Sequence, residues 1–388
     1  MSTLSKAEVK RERVLKALNH EEPDKVPITD SFWTQFTKNW IEKKGLDRNV
    51  DIYRYYDLDL LVINPNMDPK IRKPEIIKRD RKEIIYKSGW GSVVKMSLEK
   101  GAAMPGYLDF SIKSAHDYEK FEFDDPADDQ RYNDIRQDLI NMGDNFTKLP
   151  SYMDAVKAYK EDFCLFGGVC EPNEVLTRVR GMQGHFMDIM LSFEKLKAFA
   201  QRATDFMIEI GRQQLERVAE LTGMVIWGDV AYDKGMFYSP RIWRNLYFPC
   251  IERMCKEFKK YNVKIVYHGC GNAKEIYNDL VAAGIDCYNP LEVKSGLDVV
   301  KLKKEYGKRL AFWGGVDVRT LINGTKEDIK KEILYRLNAA KGGGYIIASD
   351  HSVAGNVPPE NYEYMVNLIR QYGKYPLKLL KEKAEEKK

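Results

Sequence analysis

The stretch Val263-Lys264-Ile265-Val266-Tyr267-His268-Gly269-Cys270-Gly271 joins a short apolar run to a polar end that contains two glycines. The run predicts a buried strand, and the glycines indicate a turn after it. Residues i and i+2 of a strand share a face, so His268 and Cys270 are expected to point the same way. An imidazole beside a thiol is half of a zinc site. The alternative is a core histidine next to a small buried cysteine.

The same pattern recurs through the C-terminal half of the chain, where short apolar segments alternate with segments of helical character such as 240–261 and 325–340. The other candidate strands, each followed by polar residues, are 163–168, 224–229, 287–289, 310–315 and 344–348. Alternating strands and helices indicate a parallel sheet covered by helices. Six such units, with one or two more upstream, predict an α/β fold, a (β/α)8 TIM barrel. The alternative is a doubly wound open sheet, although no GxGxxG motif follows the first strand.

The N-terminal half is less regular. Residues 7–18 have the apolar spacing of a helix, and residues 60–63 form a short strand candidate. Residues 65–125 combine Pro and Gly punctuation with β-rich pieces, which we interpret as an N-terminal β-rich insertion, and helices are expected again over 116–160. The prediction is a single barrel domain over 1–388 that ends in a charged C-terminal tail at 377–388.

Composition excludes several classes of function. The 388 residues include 63 basic and 58 acidic side chains, and a net charge of +5 with no basic stripe argues against a nucleic-acid partner. No run of 18 apolar residues and no apolar signal core occurs, so we expect no membrane association. The six cysteines are scattered, which predicts a reducing, cytoplasmic environment and not a disulfide framework.

Ionisable residues stand at the ends of consecutive candidate strands. If the barrel is right, these ends converge on one polar pocket. The residues at these positions are Asp229, His268, Cys270, Glu292, Asp317 and His351. Zinc would take His268, Cys270 and His351 as ligands, with Glu292 as a fourth ligand or as a partner that orients them. The alternative for His351 is a catalytic or substrate-binding role without metal.

Three carboxylates around this pocket have alternative roles. Asp229 could hold a substrate group or act as a general acid or base, and its alternative role is a helix cap. Asp317 could bind substrate, but the sequence Asp317-Val318-Arg319-Thr320 is also typical of a helix N-cap. Glu171, which follows Cys170, could face the same mouth and bind substrate.

Several motifs together resemble the uroporphyrinogen decarboxylase superfamily over almost the whole chain. They are Arg11-Glu12-Arg13-Val14-Leu15-Lys16-Ala17-Leu18, Pro23-Asp24-Lys25-Val26-Pro27, Gly228-Asp229, Ser239-Pro240, His268-Gly269-Cys270-Gly271-Asn272, Phe312-Trp313-Gly314-Gly315-Val316-Asp317, Ser349-Asp350-His351 and Pro358-Pro359-Glu360-Asn361-Tyr362. This resemblance implies a (β/α)8 barrel. The porphyrinogen decarboxylases themselves carry an arginine motif after the first strand, whereas residues 29–36 contain no arginine.

The chain is similar to the corrinoid-dependent methyltransferase branch, in particular to the substrate-side components of O-demethylases. That branch has a zinc site with a His-x-Cys pair and often a Glu about two dozen residues later, matched here by His268, Cys270 and Glu292, while His351 stands near the place of a last-strand Cys. The resemblance implies transfer of a methyl group from a small-molecule donor, best an aryl methyl ether, to cobalt in a separate corrinoid (cobalamin) protein. Asp229, Glu292 and His351 would then be catalytic, and homodimers are common in the superfamily.

Three alternatives to this function remain. One is a decarboxylase or lyase of the same superfamily that acts on a small carboxylic acid. Another is a methylcobamide:thiol methyltransferase. The third is a non-enzymatic or accessory partner that binds a corrinoid. No DxHxxG motif, which would mark a corrinoid-binding domain within this chain, occurs in the sequence.

Overall fold

The computed structural model describes residues 4–98, 105–134 and 150–379. Within these ranges the strands are β1 (Leu60–Val62), β2 (Glu75–Arg79), β3 (Glu83–Lys87), β4 (Val93–Ser97), β5 (Gly106–Asp109), β6 (Cys164–Cys170), β7 (Leu221–Trp227), β8 (Ala231–Tyr232), β9 (Gly235–Met236), β10 (Lys264–His268), β11 (Cys287–Asn289), β12 (Ala311–Trp313) and β13 (Tyr345–Ile346).

The helices surround the strands of the barrel. They are α1 (Lys6–Leu18), α2 (Thr34–Lys44), α3 (Ile52–Tyr55), α4 (Gln130–Asn133), α5 (Tyr152–Tyr159), α6 (Pro172–Arg180), α7 (Met182–Leu191), α8 (Phe193–Arg217), α9 (Pro240–Leu246), α10 (Phe248–Lys259), α11 (Tyr277–Ala283), α12 (Val299–Tyr306), α13 (Val318–Asn323), α14 (Lys326–Leu337) and α15 (Pro359–Tyr372). Among the described helices, none is long and apolar enough to cross a membrane.

A parallel sheet with the order β1-β6-β7-β10-β11-β12-β13 forms the centre of the fold. Its two edges are joined through residues 27–29: the amide of Ile347 donates to the carbonyl of Pro27, and the amide of Asp59 donates to the carbonyl of Ile28. The sheet therefore closes on itself through an eighth segment, with helices outside. This confirms the predicted α/β barrel fold.

The two faces of the strands are buried in different places. Inside the ring, alternate strand residues such as Phe166, Val225 and Val266 form one apolar cluster, which Val14 and Leu18 of α1 close from one end. The other strand face packs against the surrounding helices in a second, larger cluster. Because Val266 points into the ring, the residue two positions later on β10 points the same way, toward the carboxyl end of the strands.

A separate antiparallel sheet with the order β2-β3-β4-β5 follows the carboxyl end of β1. Its own small core consists of Ile84, Tyr86, Val94 and Met96. These strands lie within the range 65–125 that the sequence marks as β-rich. Since the sheet leaves the barrel where β1 ends, it stands on the side of the barrel mouth.

Two predicted helical regions differ from the structure. The helix expected over 240–261 is divided into α9 and α10, which meet at Tyr247 just before Pro249. A proline has no amide hydrogen for the helical ladder and clashes with the preceding turn, so the helix restarts there. Within 116–160, residues 116–129 form turns and coil, helices occur only as α4 and α5 in the described part, and 135–149 lie outside it. Most of the predicted tail, 380–388, also lies outside the described residues.

Candidate functional site

His268 ends β10 with its ring turned into the mouth of the barrel. Its Nδ1 lies 2.6 Å from Oδ1 of Asn289, whose Nδ2 donates to the carbonyl of Trp313 at 3.1 Å. The second bond fixes the amide so that Oδ1 faces the histidine, which must then carry its proton on Nδ1. Burial lowers the pKa of His268 and favours the neutral ring. The lone pair on Nε2 is thus available to a ligand, with the ring of Trp227 packed 4.6 Å away between centroids.

Cys270 lies between two imidazoles. Its Sγ is 3.6 Å from Nε2 of His268 and 3.5 Å from Nε2 of His351. His351 follows the last barrel strand, 81 residues further along the chain. Burial, together with the nearby carboxylates Asp229 and Glu292, raises the pKa of the Cys270 thiol. The thiol is thus protonated unless a cation stands beside it, and a bound metal ion would reverse that preference.

The three side chains have the spacing of a tetrahedral metal site. With zinc bonds of about 2.3 Å to sulfur and about 2.0 Å to nitrogen, a tetrahedral angle separates sulfur and nitrogen by about 3.5 Å. The two measured separations agree with this value. The possible ligand atoms form two groups that share Cys270, one with Asp229 and His268 and the other with Glu292 and His351, and within each group all of them lie within 4.8 Å of one another. Each group therefore offers zinc one thiolate, one imidazole and one carboxylate.

Both carboxylates at the cluster are held by backbone amides. Oε2 of Glu292 accepts from the amide of Gly271 and from the hydroxyl of Ser295, each at 3.1 Å. Oδ1 of Asp229 accepts from the amide of Cys270 at 3.0 Å. Asp229 also comes within 4.8 Å of the ligand atoms of the cysteine and of His268. Each carboxylate thus steadies the glycine-rich turn that carries the thiol.

A cavity of about 530 Å³ opens beside this cluster. Its floor contains Trp227, Gly228, Asp229 and His268 from the barrel. Its walls are the inner face of α6 and the antiparallel sheet, which contributes residues of β3 and β4 and the turn between them. A volume of this size accepts a small organic molecule.

The model of the family described as Uroporphyrinogen decarboxylase (URO-D) matches residues 119–372, which is more than half of the chain. The chain belongs to the uroporphyrinogen decarboxylase family. No curated protein matches its sequence significantly.

Among solved structures, a methyltransferase from Methanosarcina mazei shares this fold with a TM-score of 0.64 and 17% identity, covering 94% of this chain and 98% of that one. A structure described as native KDPGal (TM-score 0.26, 13% identity, 56% of this chain and 74% of that one) is far less similar. So is a sugar phosphate isomerase/epimerase from Parabacteroides distasonis (TM-score 0.31, 14% identity, 62% of this chain and 82% of that one). These similarities concern the fold.

Two predicted substrate-binding carboxylates of this family member lie outside the cluster. Asp317 caps α13 by accepting from the amide of Arg319 at 2.9 Å and pairs with the guanidinium of the same residue. Glu171 is completely buried, accepts from the hydroxyl of Tyr267 at 3.0 Å, and lies directly behind Gly228. Burial raises the pKa of Glu171 well above its usual value, which favours the neutral form of this core acid.

Sequence reasoning missed two residues that organise the site. Asn289 orients His268 as described above. Asp350, buried beside His351, accepts from the amide of Val293 at 3.0 Å and from the amide of Val318 at 3.1 Å. It therefore joins the loops that follow three neighbouring strands. The only sequence signal for either residue was its position at a strand end, which they share with many residues of purely structural role.

Proposed function

We propose that this protein is a methyltransferase that moves a methyl group from a methylated small molecule, best an aryl methyl ether, to the cobalt of a separate corrinoid protein. The observation that carries the proposal is the pair of ligand groups around Cys270, one with Asp229 and His268 and the other with Glu292 and His351, beside a cavity of about 530 Å³. Membership of the uroporphyrinogen decarboxylase family and the shared fold of a methyltransferase are consistent with it.

The proposed cofactor is zinc held by His268, Cys270 and His351, with Glu292 as the fourth ligand. When bound, zinc supplies a Lewis acid that polarises the oxygen attached to the methyl group. Two of the proposed ligands are already oriented by a neighbour: the amide of Asn289 sets the tautomer of His268, and the amide of Gly271 holds Glu292. Such outer partners raise metal affinity because less reorganisation is needed on binding.

The cavity and Asp229 would serve the donor. Trp90 and Trp227 offer indole surfaces to a flat, apolar body. Asp229 lines the cavity and touches the cluster at the same time, so it can orient the reacting group or return a proton to the departing oxygen. In this reaction the carbon–oxygen bond breaks, its electron pair stays on oxygen, and the cobalt of the acceptor provides the pair for the new carbon–cobalt bond.

No DxHxxG motif for holding a corrinoid occurs in these 388 residues, and we propose that the acceptor is carried by another molecule. A corrinoid protein is therefore the proposed partner, and it would approach the open mouth of the barrel. The protein would work as the substrate-side half of a two-component system. Whether it forms a homodimer stays a prediction, as does its location in the cytoplasm.

The test combines metal content with methyl transfer. Wild type, Cys270→Ser and the control Cys255→Ser, which alters a buried cysteine of α10, are purified without a metal-affinity tag and analysed by mass spectrometry. We expect about one zinc per chain in wild type and control and a loss of zinc in Cys270→Ser.

Methyl transfer to reduced cobalamin is then followed by absorbance with aryl ether, amine and thioether donors. Transfer that depends on Cys270 supports the proposal. Zinc-free, folded wild-type protein that releases CO2 from a small carboxylic acid and transfers no methyl group would instead favour the decarboxylase alternative, and methyl transfer to a thiol would favour the thiol methyltransferase.

A further inference from the structure

The cavity beside the cluster is lined by residues of the barrel and of the antiparallel sheet. From the barrel come His268, Asp229 and Trp227, next to the proposed metal site. The exposed cations Arg72 and Lys73 also line the cavity. Its other lining residues include Trp90, Tyr107, Glu174 and Arg178. Arg178 and the cluster residue His268 therefore face the same cavity.

Arg178 is held in place from two sides. On α6 its Nε donates to Oε1 of Glu174 at 2.7 Å, and its Nη2 lies 2.7 Å from the same oxygen. Its guanidinium carbon stands 5.1 Å from the centroid of the Trp90 ring, which is the geometry of a cation–π contact. A guanidinium fixed in this way loses little conformational freedom when it binds a further acceptor.

The guanidinium of Arg178, which lines the cavity, has hydrogen-bond donors on Nη1 that are not used. Within the described residues, Nη1 of Arg178 donates no hydrogen bond, and the side chain keeps 26% of its surface exposed. Asp229, which lines the same cavity, already accepts from the amide of Cys270. Other polar side chains such as Asn66 and Gln130 also line the cavity, but Arg178 presents a charged donor there. A cationic donor selects an anionic oxygen.

We propose that the cavity binds a methyl donor that carries a carboxylate, and that Arg178 binds this carboxylate through Nη1. The planar body of the donor would lie between the indoles of Trp90 and Trp227, which directs its methylated oxygen toward the cluster. The position of the methyl group rests on the proposed function, whereas recognition of the carboxylate does not.

Glu174 provides a second test of the proposal, because its carboxylate would compete with the carboxylate of the ligand for the guanidinium of Arg178. Removing its charge while keeping its shape frees Arg178 for the donor. The variant Glu174→Gln should therefore bind an anionic ligand several times more tightly than wild type. A purely structural ion pair predicts no such gain, since weakening it would loosen the cavity wall.

The test is calorimetric binding of two probes of the same size, 4-methoxybenzoate and 4-methoxybenzyl alcohol, to the full-length protein. We expect wild type to prefer the benzoate by about tenfold or more. Arg178→Gln should lose about tenfold for the benzoate and change little for the alcohol. Arg212→Gln, the same charge change on the surface of α8, should alter neither affinity by more than about threefold.

Equal affinity of wild type for the two probes, no binding of either, or unchanged benzoate binding in Arg178→Gln would overturn the inference. If Arg178→Gln does not fold, Glu174→Gln decides, because weaker benzoate binding in that variant contradicts the proposed competition. Benzoate binding that depends on Arg178 without any methyl transfer would leave this inference standing and refute the proposed function.

Discussion

Asp30 is a buried acid whose replacement gives a pH-dependent test of the structure. Oδ1 of Asp30 accepts from the amide of Ser349 at 3.1 Å and from the hydroxyl of the same residue, and Oδ2 accepts from the hydroxyl of Tyr362 at 3.1 Å. Burial raises the pKa of Asp30 from 3.8 to about 7, although these hydrogen bonds lower it, and the neighbouring carboxylate of Asp350 raises it further. The other titratable groups near it are the tyrosines Tyr53 and Tyr345.

The sign of the effect follows from proton binding. Between about pH 4 and pH 7 the folded protein holds a proton on Asp30 that the unfolded chain has released, so the folded state binds more protons. The free energy of unfolding therefore falls as pH rises through this window, by up to about 1.4 kcal/mol per pH unit from this group. Across the whole shift the loss approaches about 4 kcal/mol at and above pH 8.

Asp30→Asn imitates the protonated acid and removes this dependence. Its Oδ1 can still accept from Ser349, and its amide nitrogen can donate to the hydroxyl oxygen of Tyr362. We expect the variant and wild type to have similar stability near pH 4 and the variant to become progressively more stable than wild type toward pH 8. Urea unfolding at pH 4, 5, 6, 7 and 8 measures the difference, in which the titration of unrelated groups cancels.

A difference that stays constant across this pH range would refute the reasoning. Tyr362→Phe provides a second check. It removes a hydrogen bond that stabilises the ionised carboxylate, so the stability of this variant should fall more steeply with pH than that of wild type.

Four further substitutions test the site. Asp350→Ala leaves two amides without their acceptor and should cost about 2 kcal/mol of stability and about tenfold in zinc affinity. Asp317→Ala should cost about 1 kcal/mol because a helix cap is lost, and it should leave zinc affinity unchanged. Urea unfolding measures the stability of both variants, and competition with a zinc chelator measures their zinc affinity. Gly228→Ala would place a methyl group 2.6 Å from Oε1 of the fully buried Glu171. Thermal unfolding should show that the free energy of unfolding falls by about 1–3 kcal/mol. An unchanged free energy of unfolding would contradict the described packing. Asn289→Ala should weaken zinc binding by about 10- to 100-fold with little loss of fold, and unchanged zinc affinity would remove its orienting role.

Local sequence patterns predicted the central strands well. The strand predicted over the apolar run is β10, Lys264–His268, and the candidate at 287–289 is β11, Cys287–Asn289. Such segments are apolar on both faces because they are covered both inside and outside the ring, which makes them recognisable without any knowledge of their partners. The helix predicted over 240–261 was wrong at one point, where Pro249 interrupts the backbone ladder.

For the site, the sequence indicated which residues are grouped but not what each of them does. Candidate ligands at the strand ends form two groups around Cys270, because parallel strands of a barrel bring their carboxyl ends together. Asp317 and Glu171 have the same residue type and the same kind of position, yet one caps a helix and the other lies in the core. Residue type and position do not distinguish these two outcomes. The role of each carboxylate depends on which neighbour occupies the adjacent space.

The amino-acid sequence by itself determined the alternation of strands and helices in the C-terminal half of the chain. It also placed His268 and Cys270 on one face, because the two-residue repeat of a strand is a local property. Only the tertiary structure decided that His351, 81 residues after Cys270, comes within 3.5 Å of its sulfur. That distance depends on closure of the barrel, and closure depends on hydrogen bonds between residues 27–29 and both sheet edges. The cavity wall and Arg178 depend likewise on where the antiparallel sheet packs, which no local pattern in the chain specifies.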